Sequence, residues 1–580
     1  MDNETLTLKL QAETQAGEEY QKRRHQQWQD TYNLYRDIIE TNALTQRQAV
    51  NIPIMKETKK TLLSRIDDAP NIKFYCLEDG KKTIDAKTKE ININELWNDD
   101  SNTNNYEAID ILEKNSVLLF GRTHKKLNWK NNRVFTEVID NLDILIDPKT
   151  NPINIDSAQF IVLLHIKRTV SDIINDPNYN KKGIEEFKLL VGVTTEKSQE
   201  EGANIEDSTN NANKMAKDVE EEDLGIVEPE RLDGFEQEVE IREHFTKIWD
   251  EKKKKYIRYV VITAVDDSVI LSKKTLKEAL GIDEFWPFEG WADDLDAKDY
   301  WSDGIGDTVR VPNKIINTYF SQMIENRSYR NLGMKWYLPV PGYNPQTFEP
   351  EPFGQYPTPL VKDNTGRYMS VRDVIQDMQI PALEDNLVSI DFLIKLIERA
   401  TSATAIEKGI GEKKQTTLGE VENLIAKSAE TIASMAKFYK HSNKRYAEKW
   451  LALYLANLDK PIELFKKSAK GYFGKKITVK DIKSEKGYKI VARSKSEKDN
   501  EESETIQKMI AIRGQLPNNI ALGKIIEKRL LDMLDLTSEE MLEIENENEQ
   551  ININNNPNAM APPANAPRQG QLPAPAIATQ

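Results

Sequence analysis

Hydrophobic and polar residues alternate along this chain in two different periods. Between Glu18 and Arg65 the positions Tyr20, Trp28, Tyr32, Leu34, Tyr35 and Ile38 fall roughly at helical spacing, with Lys22, Arg23, Arg24 and Arg36 around them. Pro53 interrupts, Ile54 to Ile66 resumes the helical pattern, and the sequence DDAP turns the chain into a strand from Ile72 to Leu77. Ile109 to Phe120 predicts another helix. Arg133 to Ile146 carries an alternating apolar segment with Asp140, Asp143 and Asp147 on or near it. Phe160 to Ile174 and Ile184 to Leu190 predict short elements of a mixed α/β domain. Thr194 to Leu224 is polar, acidic and nearly free of large apolar residues. Such a stretch buries too little surface to offset its ordering entropy, which predicts a mobile insertion. Three runs then read as strands: Glu236 to Trp249, Tyr256 to Ala264 and Ser268 to Leu271. The turn-like breaks DEKKKK and VDD between them predict an antiparallel meander.

The second half reads as long helices around a Pro-rich excursion. Pro312 to Met334 predicts a helix, with proline pre-organised for its first turn and Gly333 near its end. Trp336 to Arg367 holds Pro339, Pro341, Pro345, Pro350, Pro352, Pro357 and Pro359, and is expected to be extended or turned. Pro381 to Ala400 predicts a second helix whose apolar stripe is Leu383, Leu387, Ile390, Leu393, Ile394 and Ile397. The loop Thr401 to Thr416 follows. In the next helix Leu418, Val421, Ile425, Ile432, Met435, Tyr439, Tyr446, Trp450 and Leu453 step mostly by three or four, and neither proline nor glycine occurs from Glu420 to Asp459. At ~1.5 Å per residue this rod is roughly 50–60 Å long. Lys475 to Arg493 predicts short strands. Thr505 to Glu545 predicts helices, the last opened by a capping box of Thr537 with Glu540. Beyond Glu545 the Asn-, Pro-, Ala- and Gln-rich composition predicts disorder.

Composition narrows the functional classes. The 580 residues suffice for several domains, and the formal net charge is −15 with 30% of residues charged. That balance argues against coating nucleic acid through a broad basic face. One cysteine, Cys76, excludes an intramolecular disulfide framework and leaves no Cys cluster for zinc, as a chain made in a reducing cytoplasm would have it. The first residues, MDNETLTLKLQAE, lack the basic and apolar regions of a signal peptide, and no run of about 18 apolar residues predicts a membrane span.

One stretch is too idiosyncratic for a generic core. From Trp286 to Gly354 an aromatic-acidic segment (Trp286, Phe288, Trp291, Asp293, Asp294, Tyr300, Trp301) leads through a Gly-containing turn into the Pro312 helix and then the Pro-rich excursion. This pattern resembles the portal, or head-to-tail connector, proteins of tailed double-stranded-DNA bacteriophages. QDTYNLYRDII and NIPIMKETKKTLLSRIDDAPNIKF look like the amino-terminal part of the same family. The order of helix, Pro-rich excursion, helix, Lys-Gly loop and long helix is the second pillar. The resemblance covers roughly residues 20 to 455 and is strongest from 286 to 354.

The resemblance implies an α+β portal fold. Residues 1–311 would be amino-terminal helices and a mixed α/β wing, 312–334 the first stem helix and 335–380 the clip. Residues 381–400 would be the second stem helix, 401–417 the tunnel loop, 418–459 the long wing helix, 460–545 a crown-like region and 546–580 a disordered tail. It further implies a homo-oligomeric ring, usually a dodecamer, at one vertex of the virion capsid. Its partners would be the large terminase subunit, the major capsid and scaffold proteins, a head-tail adaptor, and double-stranded DNA bound without sequence specificity. Neither cofactor, metal nor catalytic residue is implied.

Candidate site residues come from both readings. Gly409 and Gly411 give the Lys-Gly loop backbone freedom, and Lys408, Lys413 and Lys414 give it charge. Taken alone this is a solvated helix connection; in the family that loop reaches the channel and can touch DNA phosphates. Lys395 and Arg399 either face the channel or form ion pairs between subunits with Glu325 or Glu398. Tyr343, Phe348, Phe353 and Tyr356, interleaved with the prolines, are candidate clip contacts with partner proteins. The long helix would pack subunits through its Leu418 to Leu453 face, or bury that face within its own subunit.

Competing chemistry is thin. In GYFGKKIT, Gly474-Lys475 is followed by Lys476, and Gly523-Lys524 by Ile525, so neither completes a phosphate-binding GxxxxGK[ST] loop. The scattered His25, His124, His165, His244 and His441 show no HxxxH spacing. Cys76 beside Tyr75 reads as a small buried residue. The acidic set Asp293, Asp294, Asp296, Asp299, Asp303 and Asp307 reads as solvated caps and turns, Asp303 shaping the turn before the stem. The rival reading makes that set the metal site of a DNA-processing enzyme. A third reading is a coiled-coil scaffold built on the Leu418 helix.

Overall fold

The computed structural model describes residues 3–38, 49–66, 70–77, 84–191, 236–332, 335–337, 362, 364–370, 375–377, 380–383, 385–401, 418–468, 471–494 and 507–508. The chain divides into a compact unit from Met1 to Ser494 and a second unit from Lys495 to Gln580. All the named helices and strands belong to the first unit.

Helices α1 (Asn3–Arg36) and α2 (Ile54–Ile66) precede β1 (Pro70–Cys76), α3 (Ile84–Thr103) and α4 (Tyr106–Phe120). Strands β2 (His124–Lys130) and β3 (Arg133–Ile139) form a hairpin through Asn131 and Asn132, at φ 53° and 62°. Asparagine tolerates this left-handed pair, which matches the twist of the strands. Next come β4 (Ile144–Ile146), β5 (Phe160–Thr169), α5 (Val170–Asn175) and α6 (Lys181–Leu190). The meander is β6 (Glu238–Asp250), β7 (Lys255–Ala264) and β8 (Val269–Thr275), followed by α7 (Leu276–Leu280) and β9 (Phe288–Glu289). The long elements are α8 (Ile305–Leu332), α9 (Asp385–Thr401) and α10 (Leu418–Asn457), with β10 (Lys335–Tyr337) and β11 (Ile375–Asp377) between α8 and α9. The unit closes with β12 (Ile462–Ser468), β13 (Gly471–Ile477), α11 (Val479–Ile482) and β14 (Tyr488–Ser494).

The fold is mixed α and β, and its named strand pairings are all antiparallel. A five-stranded sheet in the order β4-β5-β6-β7-β8 contains the expected meander. A three-stranded sheet, β3-β2-β9, sits apart from the pairs β1-β14, β10-β11 and β12-β13. The largest core cluster is aromatic: Phe74, Trp97, Tyr106, Tyr446, Trp450 and Tyr454 meet at ring distances of 4.6 to 6.0 Å. Its polar handles are bonded, as buried donors must be: the Trp450 indole N–H donates to Asp100 Oδ2 at 2.7 Å, and the Tyr446 hydroxyl lies 2.8 Å from Thr136 Oγ1.

Several expectations are corrected. The first helix begins at Asn3, not near Glu18, because its inward face runs Leu6, Leu10, Thr14, Gly17, Gln21, His25 and Trp28, half of it polar or small. The Pro312 helix begins at Ile305: Asp307 Oδ2 accepts the Gly304 N–H at 3.1 Å and caps the start, leaving Pro312 inside. The Thr308 carbonyl that proline leaves unpaired lies on an exposed turn. The second long helix of the pair starts at Asp385, not at Pro381. Along α10, Met435, Tyr439, Tyr446, Trp450 and Leu453 are buried in their own chain, so this part of the face does not pack a second subunit. The first compact unit runs to Ser494, where β14 completes a sheet with β1. Helix α3 has no counterpart among the elements expected from the sequence.

Candidate functional site

The aromatic-acidic segment before α8 is a set of core pins. Trp286 is fully buried, its indole donates to the Ala158 carbonyl at 3.1 Å, and Phe288 meets Phe245 edge-on at 4.8 Å. Trp291 contacts Tyr439 of α10, and Trp301 packs edge-on against Trp28 of α1 at 5.1 Å. The Tyr300 hydroxyl lies 3.0 Å from His124 Nε2. Burial, with Arg122 nearby, lowers His124 to about 3, so its imidazole is neutral at physiological pH.

The acidic residues of this segment are engaged as caps and ion pairs. Asp299 accepts the Tyr20 hydroxyl at 2.6 Å and pairs with Arg23 at 2.7 Å and Arg24 at 3.1 Å. Burial opposes its charge, yet the Tyr20 and Arg24 bonds hold Asp299 below the ordinary carboxylate value. Asp303 pairs with Arg24, Asp307 caps α8, and Asp294 and Asp296 accept nearby backbone N–H groups. Asp293 is the exception: burial, with Asp294 beside it, pushes it up to about 7. Among the described residues no group of three His, Cys, Asp or Glu side chains is arranged to hold a metal ion. The Arg24 guanidinium also donates to the Trp301 carbonyl at 2.9 Å, so α1 holds the entrance of α8 from one side.

That entrance aims a helix pair. α8 and α9 run antiparallel: Asn326 of α8 donates to the Pro381 carbonyl just ahead of α9 at 3.1 Å. Their inward residues Val309, Ile316, Ile390 and Ile397 share a core with Leu34, Ile54, Met55 and Leu119. The chain at 50–52 straps α8, the Ile52 N–H donating to Asn317 Oδ1 at 2.9 Å and the Val50 N–H to Ser321 Oγ at 3.2 Å. β10 and β11 pair at the far end, so the excursion between them leaves and returns at one place.

The outer face of this pair carries exposed apolar residues among charged ones. Val388, Phe392 and Leu396 stand at i, i+4 and i+8 on α9, and are 73%, 65% and 44% exposed. On α8, Val311 and Ile315 form a second patch, 55% and 37% exposed. The sequence reading missed Val388, Phe392 and Leu396. The available signal was that α9 carries Val388, Phe392 and Leu396 outside the apolar stripe read as its inward side. Lys395 and Arg399 share this face: Lys395 pairs with Asp391 at 2.6 Å, and Arg399 is exposed.

Lys408, Lys413, Lys414, Gly409 and Gly411 lie outside the described residues, as do Tyr343, Phe348, Phe353, Tyr356 and the 194–224 segment. Cys76 is buried with its thiol 3.3 Å from Ser484 Oγ.

Beneath α10 lies a bed of buried ion pairs. Lys125 meets Glu113 at 2.8 Å, both buried, and Lys449 bridges Asp156 and Glu289 at 3.1 Å each. Lys114 pairs with Asp110, which also accepts the Tyr439 hydroxyl. Among the described residues no helix is long and apolar enough to cross a membrane. No family model and no curated protein matches the chain.

Proposed function

We propose that this chain is a phage portal protein: a ring-forming, non-catalytic conduit through which DNA enters, is held in and leaves a capsid. The observation that carries the reading is the set of exposed apolar residues on the outer face of the α8–α9 pair, Val388, Phe392 and Leu396 on one helix and Val311 and Ile315 on the other. In this reading the α9 residues of one subunit meet the α8 residues of the next, and such a head-to-tail contact closes into a ring when its rotation allows. The order of elements supports the same reading. A helix pair with β10 and β11 between its members carries the clip-like excursion, and the Lys-Gly segment 402–417 joins it to the 40-residue α10.

In this reading α8 and α9 are the stem, packed to neighbouring stems through Phe392. Lys408, Lys413 and Lys414 touch phosphates in the channel without reading sequence. The net charge of −15 keeps the rest of the wall from gripping DNA that must slide. The large terminase subunit and a head-tail adaptor dock on the clip, and capsid and scaffold proteins surround the wing. Twelve subunits complete the ring in this reading.

The test is negative-stain electron microscopy of the purified chain, alone and with capsid and scaffold proteins. Closed rings with a central hole wide enough for duplex DNA are expected. Rods or compact dimers under both conditions would overturn the reading.

A further inference from the structure

The hairpin of β6 and β7 ends in a chemistry the conduit reading does not use. Trp249 and Tyr256 are directly opposite in the ladder, their rings 5.1 Å apart in a T-shaped pair. They are 50% and 62% exposed, at the tip of a sheet whose other aromatic residues turn inward. Phe245, four residues back along the strand, packs in the main core. The turn beyond them carries Lys252, Lys253, Lys254 and Lys255, all exposed.

The charges of this tip are poorly compensated. Asp250 braces the turn, accepting the N–H of Lys252 at 2.9 Å and of Lys253 at 3.1 Å, and its charge also acts on these two lysines. Lys255 reaches Asp283 at 3.8 Å. Among the described residues Lys252, Lys253 and Lys254 make no ion pair, Glu251 is the acid between them and Asp250, and Glu278 acts on Lys253 only at longer range. A chain with 95 acidic and 80 basic residues keeps three adjacent exposed lysines without an ion pair among the described residues at this tip.

We infer that the Trp249–Tyr256 hairpin tip is a nucleic-acid contact, binding a single strand by stacking a base on the aromatic pair while Lys252, Lys253 and Lys254 meet flanking phosphates. Two rings on a narrow turn offer far less than the ~1,000 Å² a specific protein interface needs. They do match one base and its neighbouring phosphates, where stacking and charge act together without sequence preference. The inference stands on the hairpin alone and holds whether or not the chain forms a ring.

The test uses the full chain and two labelled probes, a 30-nucleotide oligo-dT and a 30-base-pair duplex, by fluorescence anisotropy between 50 and 200 mM salt. In K252Q/K253Q/K254Q the slope of log affinity against log salt becomes shallower by about 2 for oligo-dT, at roughly 0.7 per phosphate contact. W249L weakens oligo-dT binding by about tenfold or more and leaves the duplex unaffected, while Y256F retains most of the binding. Circular dichroism confirms that each variant is folded, since all the changed side chains are exposed. An unchanged salt slope in the triple variant overturns the inference, and so does equal oligo-dT affinity in W249L. Loss in W249L of binding to phosphatidylserine vesicles or polyglutamate, without loss of oligo-dT binding, would assign the tip to another partner and overturn it as well. Ring formation seen by microscopy is unaffected by any of these results.

Discussion

Replacing Phe392 with aspartate tests the helix-pair surface directly. Phe392 is 65% exposed in the single chain, Val388 73% and Leu396 44%. Burying what remains of these three side chains is worth roughly 4 kcal/mol as an upper bound, of which the phenyl ring supplies about 2. Losing that share alone weakens each contact about thirtyfold, and an unpaired carboxylate in an apolar seam adds to the loss. The assay is sedimentation velocity over a hundredfold range of protein concentration, with thermal unfolding of the same samples under dissociating conditions. F392D is expected to remain monomeric where the parent chain assembles, with its melting temperature unchanged. Assembly at the parent's concentrations would refute the surface as the subunit contact. A melting temperature lowered by several degrees in the monomer would refute its premise, since it would mean the face is covered within the chain.

Other expectations concern the interior. K125M leaves buried Glu113 without its partner at 2.8 Å and should cost about 3–5 kcal/mol in urea unfolding, with K125M/E113Q recovering part of it. Asp293 has a folded-state pKa of about 7 against an ordinary 3.8, so the folded chain holds a proton that the unfolded chain releases as pH rises between these values. Stability from this group is therefore lost on going from pH 4 to pH 7, and D293N should raise the melting temperature at pH 8 but not at pH 3.5. Gly121 sits at φ +83° with the Ser302 carbonyl 2.1 Å from where a Cβ would stand, so G121A should cost more than about 3 kcal/mol. Gly366, at φ +81° with open space around it, is the control, and G366A should cost only about 1 kcal/mol. Chemical denaturation compares the two.

The meander was legible because two signals agreed: β6 to β8 alternate, and their breaks are charged turns. α10 was legible from its length without proline or glycine. α3 was not, because its inward side mixes Ala86, Ile93, Leu96 and Trp97 with buried Asn92 and Asp100. The early turns of α1, and the side that they bury, hid for a similar reason. Gly17 is inward because Leu145 Cβ would lie only 2.8 Å from any Cβ there, and Gln21 because it donates to the Ile144 carbonyl at 3.1 Å. A hydrophobic pattern records neither packing by absence of a side chain nor burial of a satisfied amide. Pro312 misled in the opposite direction: proline favours a first turn, but the cap formed by Gly304 and Asp307 fixed the start seven residues earlier. For the candidate site, sequence located the helix pair and named Lys395 and Arg399. It did not show that Phe392 stands on the same side, since only the inward contacts of α9 reveal which side is left over.

The pairing of β1 with β14 has a consequence for how the chain comes into being. Ile72 lies opposite Ala492, and among the described residues β1 has no other strand beside it. A ribosome moving at ~5–20 residues per second needs roughly 20–80 s between making one strand and the other. Through that interval a half-apolar edge waits at the growing chain without its mate. Nascent protein is thus exposed to wrong pairing at its start until translation is well past its last core residue. A message broken anywhere before the codon for Tyr488 would release a body whose first strand can never be covered.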